Sequence, residues 1–302
     1  MKTTCNSASV EKTPAKINEL TFKNFNLSIK AMARSRFILL ALCSLTACNG
    51  RSGENPGAQP PILAVPVINY AVGQVYPHDT TSYTEGFVFY DHHFYESSGA
   101  PEELPQTRSI IGIDDLGTGK LDKKIELDRR TYFGEGIVFL KGKLYQLTYK
   151  NHTGFIYDAA TFRRMDSFTF ANKEGWALTT DSNSLIMSDG TSNLTYLDPV
   201  SLKPVKVLAV TLNGAPLDSL NELEYIDKYI YANRFTQNYL VKIDPVDGKV
   251  IGKLDLTSLA EQEKNRNPYC DVLNGIAFDP SSKKVFVTGK LWSGIYEIKF
   301  SH

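Results

Sequence analysis

One pattern constrains this chain more than any other: a short word is written five times. The copies are "TEGFVFYDHHFYESS" from Thr84, "GEGIVFLKGKLYQLTY" from Gly134, "KEGWALTTDSNSLIMSDG" from Lys173, "LNELEYIDKYIYANRF" from Leu220 and "LNGIAFDPSSKKVFVTGKL" from Leu273. Each opens on a polar residue, usually followed by glycine, and continues as an apolar run, a turn and a second run, which is the pattern of a β-hairpin. A second hairpin follows the first four words, in "IIGIDDLGTGKLDKKIEL", "GFIYDAATFRRMDSFTF", "LTYLDPVSLKPVKVLAV" and "YLVKIDPVDGKVIGKLDL". Asp leads the turn in all four, and Asp-Pro or Asp-Gly is specific turn chemistry. Four short antiparallel strands in about 40–50 residues is the size of a propeller blade.

The fifth unit is one strand short. "SGIYEIKF" supplies its third strand, and "VINYAVGQVYPHD", Val67 to Asp79, is the spare strand at the other end of the repeats. The expected fold is all-β: a five-bladed β-propeller over residues 62–302, closed by pairing the N-terminal strand with the C-terminal blade. Closure hides the strand edges that an open sheet exposes. A β-sandwich with extra hairpins would not explain the truncated fifth unit.

In a propeller the first strand of each blade lines the central channel, so the five openers converge at one mouth. They are Glu85, Glu135, Glu174, Asn221 and Asn274. Carboxylate and amide oxygens in a ring suit loop ties or a hard cation as well as a reactive site. Two residues break the repeat and carry more information. Trp176 follows Glu174-Gly175 where other words hold Phe or Ile, and Lys290 ends a mostly apolar strand in "VTGKLW", where it is expected to face the acidic ring.

Outside the repeats the chain reads differently. "MARSRFILLALCSLTACNG", Met32 to Gly50, has a basic start and an apolar run too short to span a bilayer, and ends in "LTAC". That ending resembles the lipobox of bacterial lipoproteins, which would make Cys48 the lipidated first residue. Residues 1–31 are then a non-native or unstructured extension, 32–47 a lipoprotein signal peptide and 48–61 a flexible tether. Asn49 after Cys48 lacks the Asp that favours inner-membrane retention, so the expected location is the periplasmic side of the envelope, on an outer-membrane lipid anchor. Cys5, Cys43, Cys48 and Cys270 show no CxxC spacing, and Cys270 is expected to be a packed core residue. His78, His92, His93, His152 and His302 lack ligand-like spacing, so no metal site is expected. The net charge of +0 removes the electrostatic case for nucleic acid.

The words together are similar to the glutaminyl cyclases, or glutaminyl-peptide cyclotransferases, of the plant and bacterial type. The motifs that carry the resemblance are "YPHDTTSYTEGF", "YESSG", "FGEGI", "LYQLTY", "EGWAL", "SDGTS", "LNELEY", "VLNGIAFD" and "VTGKLW", in family order. The resemblance implies a five-bladed propeller that converts N-terminal glutamine of peptides or proteins to pyroglutamate and releases ammonia, with no metal or cofactor. It places the acid/base carboxylate at Glu135 and puts the amide Asn221 and the ammonium Lys290 beside it. Trp176 becomes the pocket indole, with Tyr83, Glu85 and Phe235 as further substrate-binding residues; the openers Glu174 and Asn274 are expected to bind substrate as well because they belong to the same ring. Two positions depart from the family pattern: Glu85 stands where Gln is usual, and Phe235 where an indole is frequent. The expected protein is a monomer touching the membrane only through its lipid. The alternative from another class is a non-catalytic propeller lipoprotein that serves as a ligand-binding or assembly scaffold.

Overall fold

The structure is a computed structural model and describes residues 64–302. The extension 1–31, the signal peptide 32–47, the tether 48–61 with Cys48, and residues 62–63 of the expected propeller lie outside the described residues.

Five four-stranded antiparallel sheets form the blades. Blade 1 is Tyr83–Tyr90, His93–Gly99, Ile110–Asp115 and Lys120–Glu126, from the inside outwards. Blade 2 is Gly134–Leu140, Lys143–Thr148, Thr153–Asp158 and Arg164–Thr169; blade 3 is Leu178–Thr180, Leu185–Met187, Asn193–Leu197 and Pro204–Ala209. Blade 4 is Leu220–Ile226, Tyr229–Arg234, Tyr239–Ile243 and Val250–Asp255. Blade 5 holds Leu273–Asp279, Lys284–Gly289 and Gly294–Lys299, and its outermost strand is Ala71–Pro77 from the other end of the chain. Ala71 pairs with Lys299 and Pro77 with Gly294, so the ring closes as the strand count requires. The closing segment also reaches blade 4, where Ile68 N–H donates to the Lys253 carbonyl at 2.8 Å and Lys253 N–H to that of Pro66 at 3.0 Å.

The inner strands touch in an unbroken cycle, and the apolar cores lie between blades. Phe87, Phe94, Ala277, Phe286 and Ile295 fill the seam between blades 1 and 5. Ile111, Ile137, Phe139 and Phe155 join blades 1 and 2, and comparable clusters occupy the other three seams. Burying each such side chain contributes about 1.5–3 kcal/mol. The stability of the ring is therefore spread over five similar interfaces. Each Asp-led turn closes on its own carboxylate: Asp115, Asp158, Asp198 and Asp244 accept N–H bonds from Gly117, Thr161, Ser201 and Val246.

Two elements escape the repeat pattern. A small hairpin, Thr211–Leu212 with Ala215–Pro216, follows blade 3, and a helix spans Thr257–Arg266. The helix segment is rich in good helix formers but falls between two words, where the repeat gives no register. It buries Leu259 in the seam between blades 4 and 5. Its buried Glu263 accepts a hydrogen bond from Tyr296 at 2.5 Å and another from the Ser293 N–H.

Candidate active site

The openers owe their direction to a backbone irregularity. In blade 1 the pairing of the first two strands slips between Thr84 and Gly86, and in blade 2 between Gly134 and Ile137. Blades 4 and 5 slip at Leu220/Leu223 and Leu273/Ile276. Each slip falls on the opener. A bulge inserts a residue without a cross-strand partner and re-aims its side chain. Glu85, Glu135, Asn221 and Asn274 are therefore freed from the ordinary in-out alternation of a strand.

Blade 3 is the exception. Its inner strand begins at Leu178, so Glu174, Gly175 and Trp176 precede it. Trp176 is held by backbone bonds instead, from its N–H to Ser188 and from Gly136 to its carbonyl. Trp176, not the opener, thereby faces the space that the other openers share.

That space is a cavity of about 220 Å³. Its charged and amide walls are Glu85, Glu135, Lys290 and Asn221, all buried. Its aromatic walls are Tyr83, Trp176 and Phe235 together with Phe133 and Tyr149, and Pro101 completes the rim. Seven of the residues singled out in the sequence are thus brought together. Glu174 and Asn274 do not line the cavity. Glu174 accepts the Trp176 indole N–H at 2.8 Å, while Asn274 donates to the Thr84 carbonyl at 2.9 Å, one residue before Glu85. Both are one step removed because blade 3 lacks a bulge at Glu174, and because the Asn274 amide is spent on the blade 1 backbone.

The cavity concentrates charge. Lys290 forms a buried ion pair with Glu85, and its ammonium lies 4.3 Å from the centre of the Tyr83 ring. The Glu85 and Glu135 carboxyl groups stand beside each other, so the charge of one bears on the other. Burial, then the neighbouring Glu85 charge, pushes the Glu135 carboxyl well above the usual carboxylate range, against the pull of Lys290. Burial raises Glu85 as well, with Lys290 opposing. The Asn221 side-chain oxygen is buried and has no hydrogen-bond partner. Trp176 and Phe235 meet edge to face, with centroids 5.6 Å apart at 73°, and form an apolar corner beside these groups. Two neighbouring carboxyl groups, an ammonium, an open amide oxygen and a slot for a short side chain can move a proton and hold a polar substrate at once.

Phe133 and Tyr149 were not singled out in the sequence, although Phe133 directly precedes the second word and Tyr149 ends it. The repeat draws attention to openers rather than to word ends. Glu222, Glu224 and Asp271 were also missed. Glu222 and Glu224 are not part of the cavity: they accept the Ile276 and Phe278 N–H groups at 2.8 and 3.1 Å and tie blade 4 to blade 5. Burial lifts Glu222 well above the usual range and Glu224 to about 8. Asp271 accepts the Tyr83 hydroxyl at 3.2 Å and fixes that ring over Lys290.

A five-bladed propeller with a buried acid–ammonium cavity defines the architecture of a pocket enzyme. Residues 39–300 match the family model described as glutamine cyclotransferase. A glutaminyl-peptide cyclotransferase of Arabidopsis thaliana is 37% identical over 226 residues, which cover 74% of this chain and 69% of the relative. The crystal structure of Myxococcus xanthus glutaminyl cyclase superposes with a TM-score of 0.70 at 31% identity, covering 79% of this chain and 98% of that one. The chain belongs to the glutamine cyclotransferase family.

Proposed function

We propose that this protein converts N-terminal glutamine of peptides or proteins to pyroglutamate, with Glu135 as the group that takes and returns the proton. The observation that supports this reading is the convergence of Glu135, Asn221, Trp176 and Lys290 on one cavity. A scaffold that had merely kept the fold would have no use for these four groups in one buried place.

The chemistry is an intramolecular aminolysis. The substrate's neutral α-amine attacks its own side-chain carboxamide carbon, forming a C–N bond and a tetrahedral oxyanion. Glu135 accepts the proton that the amine loses. The C–NH₂ bond then breaks, and the same proton passes to the departing nitrogen, which leaves as ammonia. Nucleophile and electrophile are tethered, so holding the cyclic rotamer supplies much of the rate, and the Trp176–Phe235 corner does this for a short aliphatic chain. Lys290 donates toward the developing oxyanion. The open Asn221 oxygen accepts an N–H of the substrate amine or carboxamide. A base that works near neutral pH needs a raised carboxyl pKa, and Glu135 has one. In this reading the step needs no metal: Lys290 meets the Glu85 charge, and the lining includes neither His nor Cys.

The test is ammonia release from Gln-Gln against an Asn-initiated control. Glu135→Gln is expected to lower kcat about 10²–10⁴-fold with an unchanged circular dichroism spectrum. Full turnover in that variant would sink the mechanism.

A further inference from the structure

Away from the cavity, the seam that closes the ring holds three buried groups that neither the repeat nor the proposed reaction uses. His78 directly follows the closing strand and is buried. Its Nδ1 lies 2.8 Å from the Trp292 carbonyl, so that nitrogen carries the hydrogen and Nε2 points the other way. At 3.0 Å from Nε2 stands a Glu96 carboxylate oxygen, on the second strand of blade 1. The other Glu96 oxygen accepts the Thr84 hydroxyl at 2.5 Å. Asp114, on the third strand of blade 1, is only 7% exposed. Neither of its oxygens has a hydrogen-bond partner. One ligand atom from each of the three residues lies within 4.8 Å of the other two.

A buried carboxylate without a donor carries its full desolvation cost, and two of them side by side add repulsion. A proton on Nε2 satisfies His78 and Glu96, but Asp114 then faces the Glu96 carboxylate and is met only if it takes up a proton of its own. A divalent cation between the three would satisfy them together. Imidazole nitrogen with carboxylate oxygens is a zinc-type donor set. The surroundings are those of a ligating histidine, whose second ring N–H is donated to a backbone carbonyl so that the tautomer and ring orientation are fixed. The Nε2-to-oxygen separation of 3.0 Å also fits neighbouring ligand atoms, which stand about 3.0–3.4 Å apart when metal bonds are about 2.1 Å long.

We propose that His78, Glu96 and Asp114 bind a structural divalent cation of the zinc type that clips the closing strand to blade 1. His78 directly follows the strand that completes blade 5, while both carboxylates come from blade 1. That closing strand is held in blade 5 only by its pairing with Gly294–Lys299, and the ion would fix its far end to blade 1. Its occupancy is independent of the proposed cyclisation, because none of the three residues lines the cavity.

The test uses the full chain, stripped with chelator and titrated with Zn²⁺ alone. The expected result is one equivalent bound per chain and a thermal midpoint that rises with zinc. Co²⁺ in its place should give d–d absorption bands of a nitrogen–oxygen site. Asp114→Asn should weaken zinc binding by more than the roughly 10–100-fold typical of losing an outer-shell partner, and ammonia release from Gln-Gln at 25 °C should continue. No stoichiometric zinc, an unmoved midpoint, or binding unchanged in Asp114→Asn would each overturn the proposal. If that variant does not fold, the cobalt spectrum of the unaltered chain decides, and a featureless spectrum counts against the site. Absence of ammonia release by the unaltered, zinc-loaded chain would instead count against the proposed reaction.

Discussion

At the scale of single residues, the departure at position 85 has the clearest chemical consequence. A carboxylate there pairs with Lys290 and stands beside Glu135. Both contacts keep Glu135 protonated to higher pH: Glu85 adds negative charge beside it and also occupies the ammonium that would otherwise lower it. Glu135 must be ionised to accept the amine proton, so activity falls as pH drops through its raised pKa. Glu85→Gln removes the charge and frees Lys290, and both changes lower the Glu135 pKa. The acidic limb of the kcat–pH profile is therefore expected to move down by about one unit or more, measured with Gln-Gln from pH 4 to 9; an unmoved limb would separate Glu85 from the proton traffic. Glu174 acts through Trp176. Glu174→Ala removes the indole's acceptor and is expected to raise KM about tenfold, or about 1.4 kcal/mol, with less effect on kcat. Tryptophan emission can follow this directly, because the chain has only Trp176 and Trp292 and Trp292 is buried at the blade 5 seam. The opener pattern identified Glu85, Glu135 and Asn221 as cavity residues from sequence. Glu174 and Asn274 sit at equivalent repeat positions but differ in role, since a missing bulge and a single hydrogen bond to Thr84 leave no trace in a residue pattern.

At the scale of elements, the glycines after the openers have a packing role that the sequence did not make plain. They let neighbouring inner strands approach each other: a side chain on Gly86 would meet the Ile137 nitrogen at 2.8 Å, and one on Gly136 would meet the Leu178 nitrogen at 2.6 Å. These contacts are with backbone, which cannot swing aside as a flexible side chain can. Gly136→Ala is thus expected to cost about 1–3 kcal/mol, read as a lower urea midpoint with an unchanged m-value. The hairpins and Asp-led turns were legible because they depend on neighbours within a few residues. The helix Thr257–Arg266 was not, because its composition suits a helix but its reason for existing is the distant partner it covers. Glu263 reaches Tyr296 and the Ser293 backbone, 30 or more positions further along the chain.

At the scale of the whole molecule, five seams of similar composition carry the fold, and the repeat count alone foretold both their number and the strand exchange that closes the ring. The grouping of His78, Glu96 and Asp114 was invisible to the same approach: their spacing along the chain matches no ligand motif, and only the closure brings them together. That closure has a further consequence. Ala71 and Lys299 are register partners across the last pair of strands, so the order in which the blades are threaded is separable from the order in which they stand. A circularly permuted propeller of residues 71–299, those two ends joined by a short linker and new ends cut between blades 2 and 3, would recover all five seams and the cavity. It is expected to fold and to release ammonia from Gln-Gln, while the break would now fall away from the zinc-type seam. In this architecture the ring, rather than the direction of reading, is the inherited unit.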